Sequence, residues 1–270
     1  MREVFRADPI APPNKEAEEN DPLFVRAAAR AMHVLAAFNH ASGPLSLSDI
    51  ASRAGMDRSA AQRITHTLMT LGYLRRGPND RGYLPGVRLL DRTLDVLRLD
   101  PVVQKATPVL LELRKTVRER VDLSLFDDAR LIYALRMQSK RETFFATLVG
   151  HSVPVFCTAG GRAVLSALPD DRVAEILDRA PLTAYTGQTL TDAAAIKAEI
   201  EAARNDGFAV VTDEFIQGEI AIGVAIAREP GQPLGAIHVA GSLAEWSREA
   251  FVAQIAPLAI EAATAITESL

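Results

Sequence analysis

Apolar residues recur at three- and four-residue spacings over much of the chain's first hundred positions, and over shorter stretches further on they come in strand-like runs. Val25, Ala28, Ala31, Val34, Leu35 and Phe38 form a first helical stripe, with Asp21 and Pro22 at its start and Ser42, Gly43 and Pro44 breaking it. Ser46 with Asp49 has the form of a capping box, so a short helix follows, ended by Gly55 in a left-handed cap. A third helix starts at about 57–59, with Ala60, Ala61, Ile64, Leu68 and Leu71 as its inward rows, and Gly72 closes it. Two strand-like pieces, 73–75 and 82–84, flank a turn of Gly77, Pro78, Asn79 and Asp80. Three helices and a hairpin in this order predict a winged helix-turn-helix over 22–86. Val87, Leu90, Leu94 and Leu97 then mark a linker helix over 87–100, stopped at Pro101.

The remainder, 101–270, mixes the two periods. Helices are predicted over about 101–120, 159–168, 171–179, 192–205 and 247–267. Strands are predicted at 121–126 and 131–137 around Asp127 and Asp128, then at 208–211, 220–227 and 234–240. Strands paired by hairpins and covered by helices predict an α+β domain with an antiparallel sheet.

Charge changes this picture more than composition does. The 270 residues carry a net charge of −4, which alone argues against a nucleic-acid partner. The charge is uneven: residues 1–21 sum to −3, residues 22–88 hold nine arginines against three aspartates, and the rest sums to −7. A basic module on an acidic body is the arrangement of a protein that touches phosphate with one domain. Residues 1–21 read as a disordered acidic leader. No uncharged apolar run approaches the roughly 18 residues of a membrane-spanning helix, so no membrane partner is expected. The single cysteine, Cys157, excludes an intramolecular disulfide framework, fits a cytoplasmic location and reads as a small buried hydrophobe.

The third helix places Arg58, Ser59, Gln62, Arg63, His66 and Thr70 on one side. Ser59 can donate to a phosphate, Gln62 suits an adenine edge, and arginine suits guanine. Arg63 suits either a base or a bracing salt bridge, and His66 a phosphate. Ser59, Ala60 and Ala61 are small enough to let the helix end approach a groove. Arg75, Arg76 and Arg81 on the hairpin would straddle the backbone or enter the minor groove, and Ser46 is placed on the same DNA-facing side.

The run LSLSDIASRAGMDRSAAQRITHTLMTLGYL (45–74) resembles the DNA-binding half of the IclR family of bacterial transcriptional regulators, in Ser59, Arg63 and the terminal Gly72, Tyr73 and Leu74. The segments CTAGGRAVLSALP (157–169), TLTD (189–192) and RNDGFAVVTDEFIQGEIAIGVAI (204–226) resemble its C-terminal half. The resemblance implies a GAF-like effector domain whose pocket residues fall on Ala159, Gly160, Val211, Ala221, His238 and Ala240. Several of these positions carry Asp, Cys or Ser in the family's small-acid binders. Here the side chains imply a roomier, more apolar pocket with one imidazole, suited to an aromatic acid. Arg136 and the segment APLTAYTGQTLTD (180–192) resemble the branch that controls aromatic-acid catabolism, with Arg136 or His238 pairing a carboxylate and Phe144 nearby. His238 also fits a satisfied core position, and Phe144 a core or subunit contact. The first and linker helices keep an apolar stripe beyond what a small domain can bury, so they are expected to carry a homodimer contact, and the resemblance further implies a dimer of dimers.

Catalysis has little support. The sequence lacks a nucleophile elbow, phosphate loop, dinucleotide fingerprint or metal-ligand spacing, so neither cofactor nor metal is expected. Asp213, Glu214 and Glu219 form an acidic cluster, but adjacent strand residues point to opposite faces. The expected function is a ligand-responsive regulator binding a near-palindromic double-stranded operator. The alternative is a protein–protein adaptor whose winged helix does not bind DNA.

Overall fold

The computed structural model describes residues 21–138 and 149–270; the leader through residue 20, and Phe144, lie outside the described residues. The chain divides into two compact units, with the boundary between Val96 and Leu97.

In the first unit, α1 (Arg26–Ala36) starts four residues after the expected proline. The Asp21 carboxylate accepts from the Leu23 amide at 2.8 Å and the Asp21 carbonyl from Phe24 at 3.1 Å, so a turn occupies what would have been the helix's first turn. Much of the stripe is not buried: Val34 is fully buried, whereas Val25 is 65% exposed and Ala28 is exposed too. Next, α2 (Leu47–Arg53) has the expected capping box, with Ser46 and Asp49 exchanging side-chain and backbone bonds. Gly55 follows at φ 63°, where a Cβ would be strained, and the Met56 amide reaches back to the Ala51 carbonyl.

The third helix, α3 (Arg58–Thr70), is capped by Asp57, whose carboxylate accepts from the Ala60 amide. Its inward row is Ala61, Thr65 and Leu68. Leu71 belongs to the neighbouring row with Ile64 and Thr67 and is 47% exposed, contrary to the expectation that it is buried. Strands β1 (Leu74–Arg76) and β2 (Tyr83–Pro85) pair antiparallel around a 3-10 turn at Pro78–Asp80, one residue later than expected. Leu45 adds a bridge to Tyr83, tying the start of α2 to the wing. Helix α4 (Arg88–Leu99) runs unbroken across the unit boundary, with Val87, Leu90, Leu94 and Leu99 all at least 60% exposed.

The second unit opens with α5 (Pro101–Val117). Then come β3 (Arg120–Asp127), β4 (Arg130–Met137), β5 (Ser152–Pro154), α6 (Ala159–Ser166), α7 (Asp170–Arg179) and α8 (Ala193–Asp206). It ends with β6 (Ala209–Thr212), β7 (Glu219–Glu229), β8 (Gln232–Ser242) and α9 (Arg248–Glu268). Among the described residues six strands form one antiparallel sheet, ordered β5-β4-β3-β8-β7-β6. The period of two sorts its faces. Val121, Leu123, Ile220, Ile222, Val224, Ile237 and Val239 share a core with α5 and α9. The opposite face, against which α6 packs, receives Arg120, Asp122, Ser124, Glu219, Ala221 and His238.

A register shift between Leu123 and Ser124 re-phases β4, so Arg136 opposes Asp122 and Tyr133 opposes Ser124. Arg136 and Tyr133, three apart, therefore both reach the polar face, as a bulge permits. Strand β5 is not among the strands predicted from the sequence, since three residues are too few to show a period. Helix α9, though Glu261 interrupts its apolar run, is long and apolar enough to cross a membrane by length and composition. Its Phe251, Ile255, Ala259, Ala262 and Ile266 instead pack into the sheet's core, which accounts for that composition.

Candidate functional site

The amphipathic spacing of α3 brings the anticipated side chains together. Ser59, Gln62, Arg63 and His66 line one cleft of about 400 Å³ with Met69 and with Arg76 and Tyr83 of the wing. The Arg76 guanidinium lies over the Tyr83 ring at 4.4 Å, which stiffens the wing side of the cleft.

The structure divides the basic residues by task. Arg58 donates to the Ser48 hydroxyl at 2.8 Å, joining α3 to α2. Arg53 donates to the carbonyls of Ala37 and Asn39, fixing α2 beneath α1, and Arg88 donates to the Leu71 carbonyl at the end of α3. Ser46 spends its hydroxyl on Asp49 in the cap. Ala60 faces the groove on the α1 side, with Ile64 and Leu71, rather than the cleft. Arg75 and Arg81 sit exposed on the wing. Asp57 already supplies a negative charge at the N-terminus of α3, so Ser59 shares that end with a carboxylate.

A second candidate site lies on the polar face of the sheet. Arg120, Tyr133, Thr158, Ala159, Val211, Ala221 and His238, with residues 213–216 and Glu219, line a cavity of about 20 Å³. That volume holds little more than one water molecule. Among the described residues this lining leaves no roomy apolar pocket, because Arg120 and Glu219 fill the space and close it with an ion pair of 2.6 Å. Of the positions implied by the resemblance, Ala159, Val211, Ala221 and His238 line this cavity. Gly160, Ala240 and Arg136 are not in the lining. Gly160 is pressed against the imidazole, where a Cβ would come within 2.1 Å of His238 Cε1. Ala240 opposes Ala221 and Arg120 in the ladder and is buried. The Arg136 Nε stands 3.6 Å from Asp122 Oδ1, and its guanidinium lies 4.9 Å from the Tyr133 ring centre.

The electrostatics of this face are dense. Arg120 donates to both Asp122 and Glu219. Burial works against its charge, but Glu219 and Asp122 outweigh it and hold its pKa above the ordinary value. Burial, aided by Arg120 and Arg136, pushes the His238 imidazole down to about 3, so the ring is neutral. It shares a 2.6 Å hydrogen bond with the Ser124 hydroxyl. Serine and histidine at that distance suggest a nucleophile and its base, but Ser124 is 0% exposed and so poor a base cannot take a proton near neutrality.

Asp213 and Glu214 lie beyond β6, so alternation along a strand does not separate them; their partners do. Glu214 forms a bidentate pair with Arg162, and Asp213 accepts from the Gly218 amide. The segment 180–192, which resembles the aromatic branch, braces this turn. Thr186 and Thr189 donate to the carbonyls of Asp213 and Glu214, and the Leu190 amide donates to the Glu214 carboxylate. None of its side chains lines the cavity. Arg120, Asp122 and Ser124 are not among the site residues expected from the sequence. The signal was the polar half of the alternation in RVDLSLF (120–126), in a strand whose apolar half was used.

Comparison with known proteins matches both units. A family model described as the IclR helix-turn-helix domain covers residues 27–78, and one described as bacterial transcriptional regulator IclR C-terminal covers residues 94–268. The chain is 30% identical over 264 residues to the Pca regulon regulatory protein of Pseudomonas putida, covering 97% of this chain and 90% of that one. It is 35% identical over 231 residues to HTH-type transcriptional regulator Rv1719 of Mycobacterium tuberculosis, covering 83% and 85%. The crystal structure of the Thermotoga maritima IclR superposes with a TM-score of 0.67 at 26% identity, covering 90% of this chain and 98% of that one. A helix-turn-helix unit followed by a second unit, each matched by its own family model, places this chain in the IclR family of bacterial transcriptional regulators.

Proposed function

We propose that this regulator works in the cytoplasm as a homodimer on a near-palindromic double-stranded operator, and that a small organic acid of the aromatic class changes its affinity for that DNA. The observation that carries the DNA reading is the cleft in which Ser59, Gln62, Arg63 and His66 converge with Arg76 of the wing. A recognition helix beside a basic wing fits a major groove and its flanking backbone. Gln62 and Arg63 are assigned to base edges, and Ser59, His66, Arg75, Arg76 and Arg81 to phosphates or the minor groove.

A palindrome needs two copies related by an axis. What supports a dimer is the apolar surface left uncovered on one chain. A groove of about 1070 Å³ runs along α1, α3 and the start of α4, past Met32, Leu35, Ile64 and Leu71. Leu90 and Leu94 on α4 are 69% and 60% exposed. Pairing of such faces buries apolar area that a monomer leaves in water. Association of two dimers through the C-terminal units completes the proposed assembly.

The aromatic class rests on the resemblance of Arg136 and residues 180–192, and on the 30% identity to a Pca regulon regulator. Ligand binding shifts DNA affinity only by its differential affinity for the two states. Helix α4, continuous between the units, is the proposed carrier of that difference. The test is to select duplexes from a random pool with the full-length chain, then titrate aromatic and short-chain acids into the complex. Two symmetric half-sites and an acid-dependent Kd are expected. Selection of asymmetric single sites, or no enrichment, contradicts the proposal.

A further inference from the structure

Two carboxylates share Arg120, and they are not equivalent. Asp122 accepts from Nε at 3.0 Å with its side chain 0% exposed, while Glu219 pairs with Nη1 at 2.6 Å with its side chain 18% exposed. Asp122 is a fixed anchor behind the guanidinium; Glu219, first residue of β7, stands at the edge of the cavity with a path to water. A second arginine on this face is under-paired. Arg136 has a side chain 1% exposed, 3.6 Å from Asp122, and neither its Nε nor its Nη1 has a hydrogen-bond partner among the described residues.

These four groups carry two positive and two negative charges. A buried cluster of balanced charge takes up another anion at low cost only if one of its own negative charges leaves. Glu219 is placed to do so. Its removal toward solvent frees one edge of Arg120, keeps that guanidinium oriented by Asp122, and enlarges a cavity that otherwise holds about one water.

We propose that the effector is a monoanion whose carboxylate displaces the Glu219 carboxylate from Arg120, so that Glu219 is a built-in competitor that keeps the unliganded cavity closed. This rests on the reading above that an acid binds in this unit. Exchange of one carboxylate for another leaves the buried charge unchanged, whereas a neutral amide of the same shape leaves Arg120 short of a partner. The site therefore selects monocarboxylates over their amides.

The test uses the full-length chain, its Glu219→Gln variant and, should glutamine perturb folding, Glu219→Ala. Binding of benzoate, acetate and pyruvate, with benzamide as the neutral probe, is followed by calorimetry and thermal shift. Removal of the competing charge should tighten binding of at least one carboxylate by about tenfold or more and leave benzamide unchanged. Equal carboxylate affinity in the wild type and both variants, or an equal gain for benzamide, overturns the exchange. Wild-type protein whose selected DNA responds to acids, without any gain in the variants, defeats the exchange and leaves the regulator reading standing. A gain in the variants with no DNA response does the reverse.

Discussion

Arg162 grips Glu214 through two parallel bonds, Nη1 to Oε1 at 2.6 Å and Nη2 to Oε2 at 2.7 Å, with the arginine side chain 1% exposed. The pair joins α6 to the turn after β6, and the Arg162 Nε is spent on the Phe156 carbonyl. Removal of one member leaves a buried guanidinium without its counter-charge. Glu214→Gln should cost about 3 kcal/mol in urea unfolding at pH 7. A loss below about 1 kcal/mol would mean that the pair behaves as a solvent-screened one.

Gly160 is required by its neighbour. The imidazole of His238 occupies the space a Cβ would need. Gly160→Ala should destabilise by about 1–3 kcal/mol, an overpacking penalty. His238→Ala vacates that space, so the double variant should be less destabilised than the two single losses added together. Strict additivity would contradict the contact.

His238 also gives the stability a pH dependence of predictable sign. Its folded pKa, about 3, lies below the ordinary 6.5, so protonation favours the unfolded chain. The histidine contribution is complete above pH 6.5 and declines as the pH falls toward 3, by about 1.4 kcal/mol per unit. Between pH 6.5 and 5 the wild type should lose about 2 kcal/mol more than His238→Gln does. Parallel pH profiles for the two proteins would place the proton elsewhere.

These last two residues show how far the sequence could be read. His238 was legible as a candidate site residue, and its partner Gly160 was placed nearby by resemblance. Their mutual contact was not, because it depends on how closely α6 approaches β8. The helix-turn-helix was legible because caps, glycine turns and periodicity agree at Ser46, Gly55 and Gly72. The sheet's hairpins were legible from Asp127–Asp128 and from the turn before Gln232. Arg120 and Glu219 were hidden, since their pairing joins residues 99 positions apart and no local period encodes it. For the same reason the cavity read as open and apolar from its small residues, while long side chains from neighbouring strands close it.

The arginines of the first unit should separate by experiment as they do by contact. Arg53 holds two carbonyls and Arg58 a hydroxyl, whereas Arg75 and Arg81 are exposed on the wing. Arg53→Ala should lower thermal stability, with weaker DNA binding as a consequence. Arg75→Ala and Arg81→Ala should leave stability unchanged and weaken binding to all sequences alike. Each should reduce the slope of log K against log salt by about 0.9. An unchanged slope in both wing variants would remove the hairpin from the phosphate backbone.

The most direct measurement is fluorescence anisotropy of the full-length chain with a selected duplex and with single-base variants of it, comparing the wild type with the Gln62→Ala/Arg63→Ala double variant. Both residues face the cleft on α3 and are exposed, so folding should survive the change. Affinity of the double variant for the selected duplex should fall by about tenfold or more, while affinity for unrelated duplex barely changes. Undiminished discrimination between the selected and variant duplexes would contradict the assignment of this helix face to base recognition.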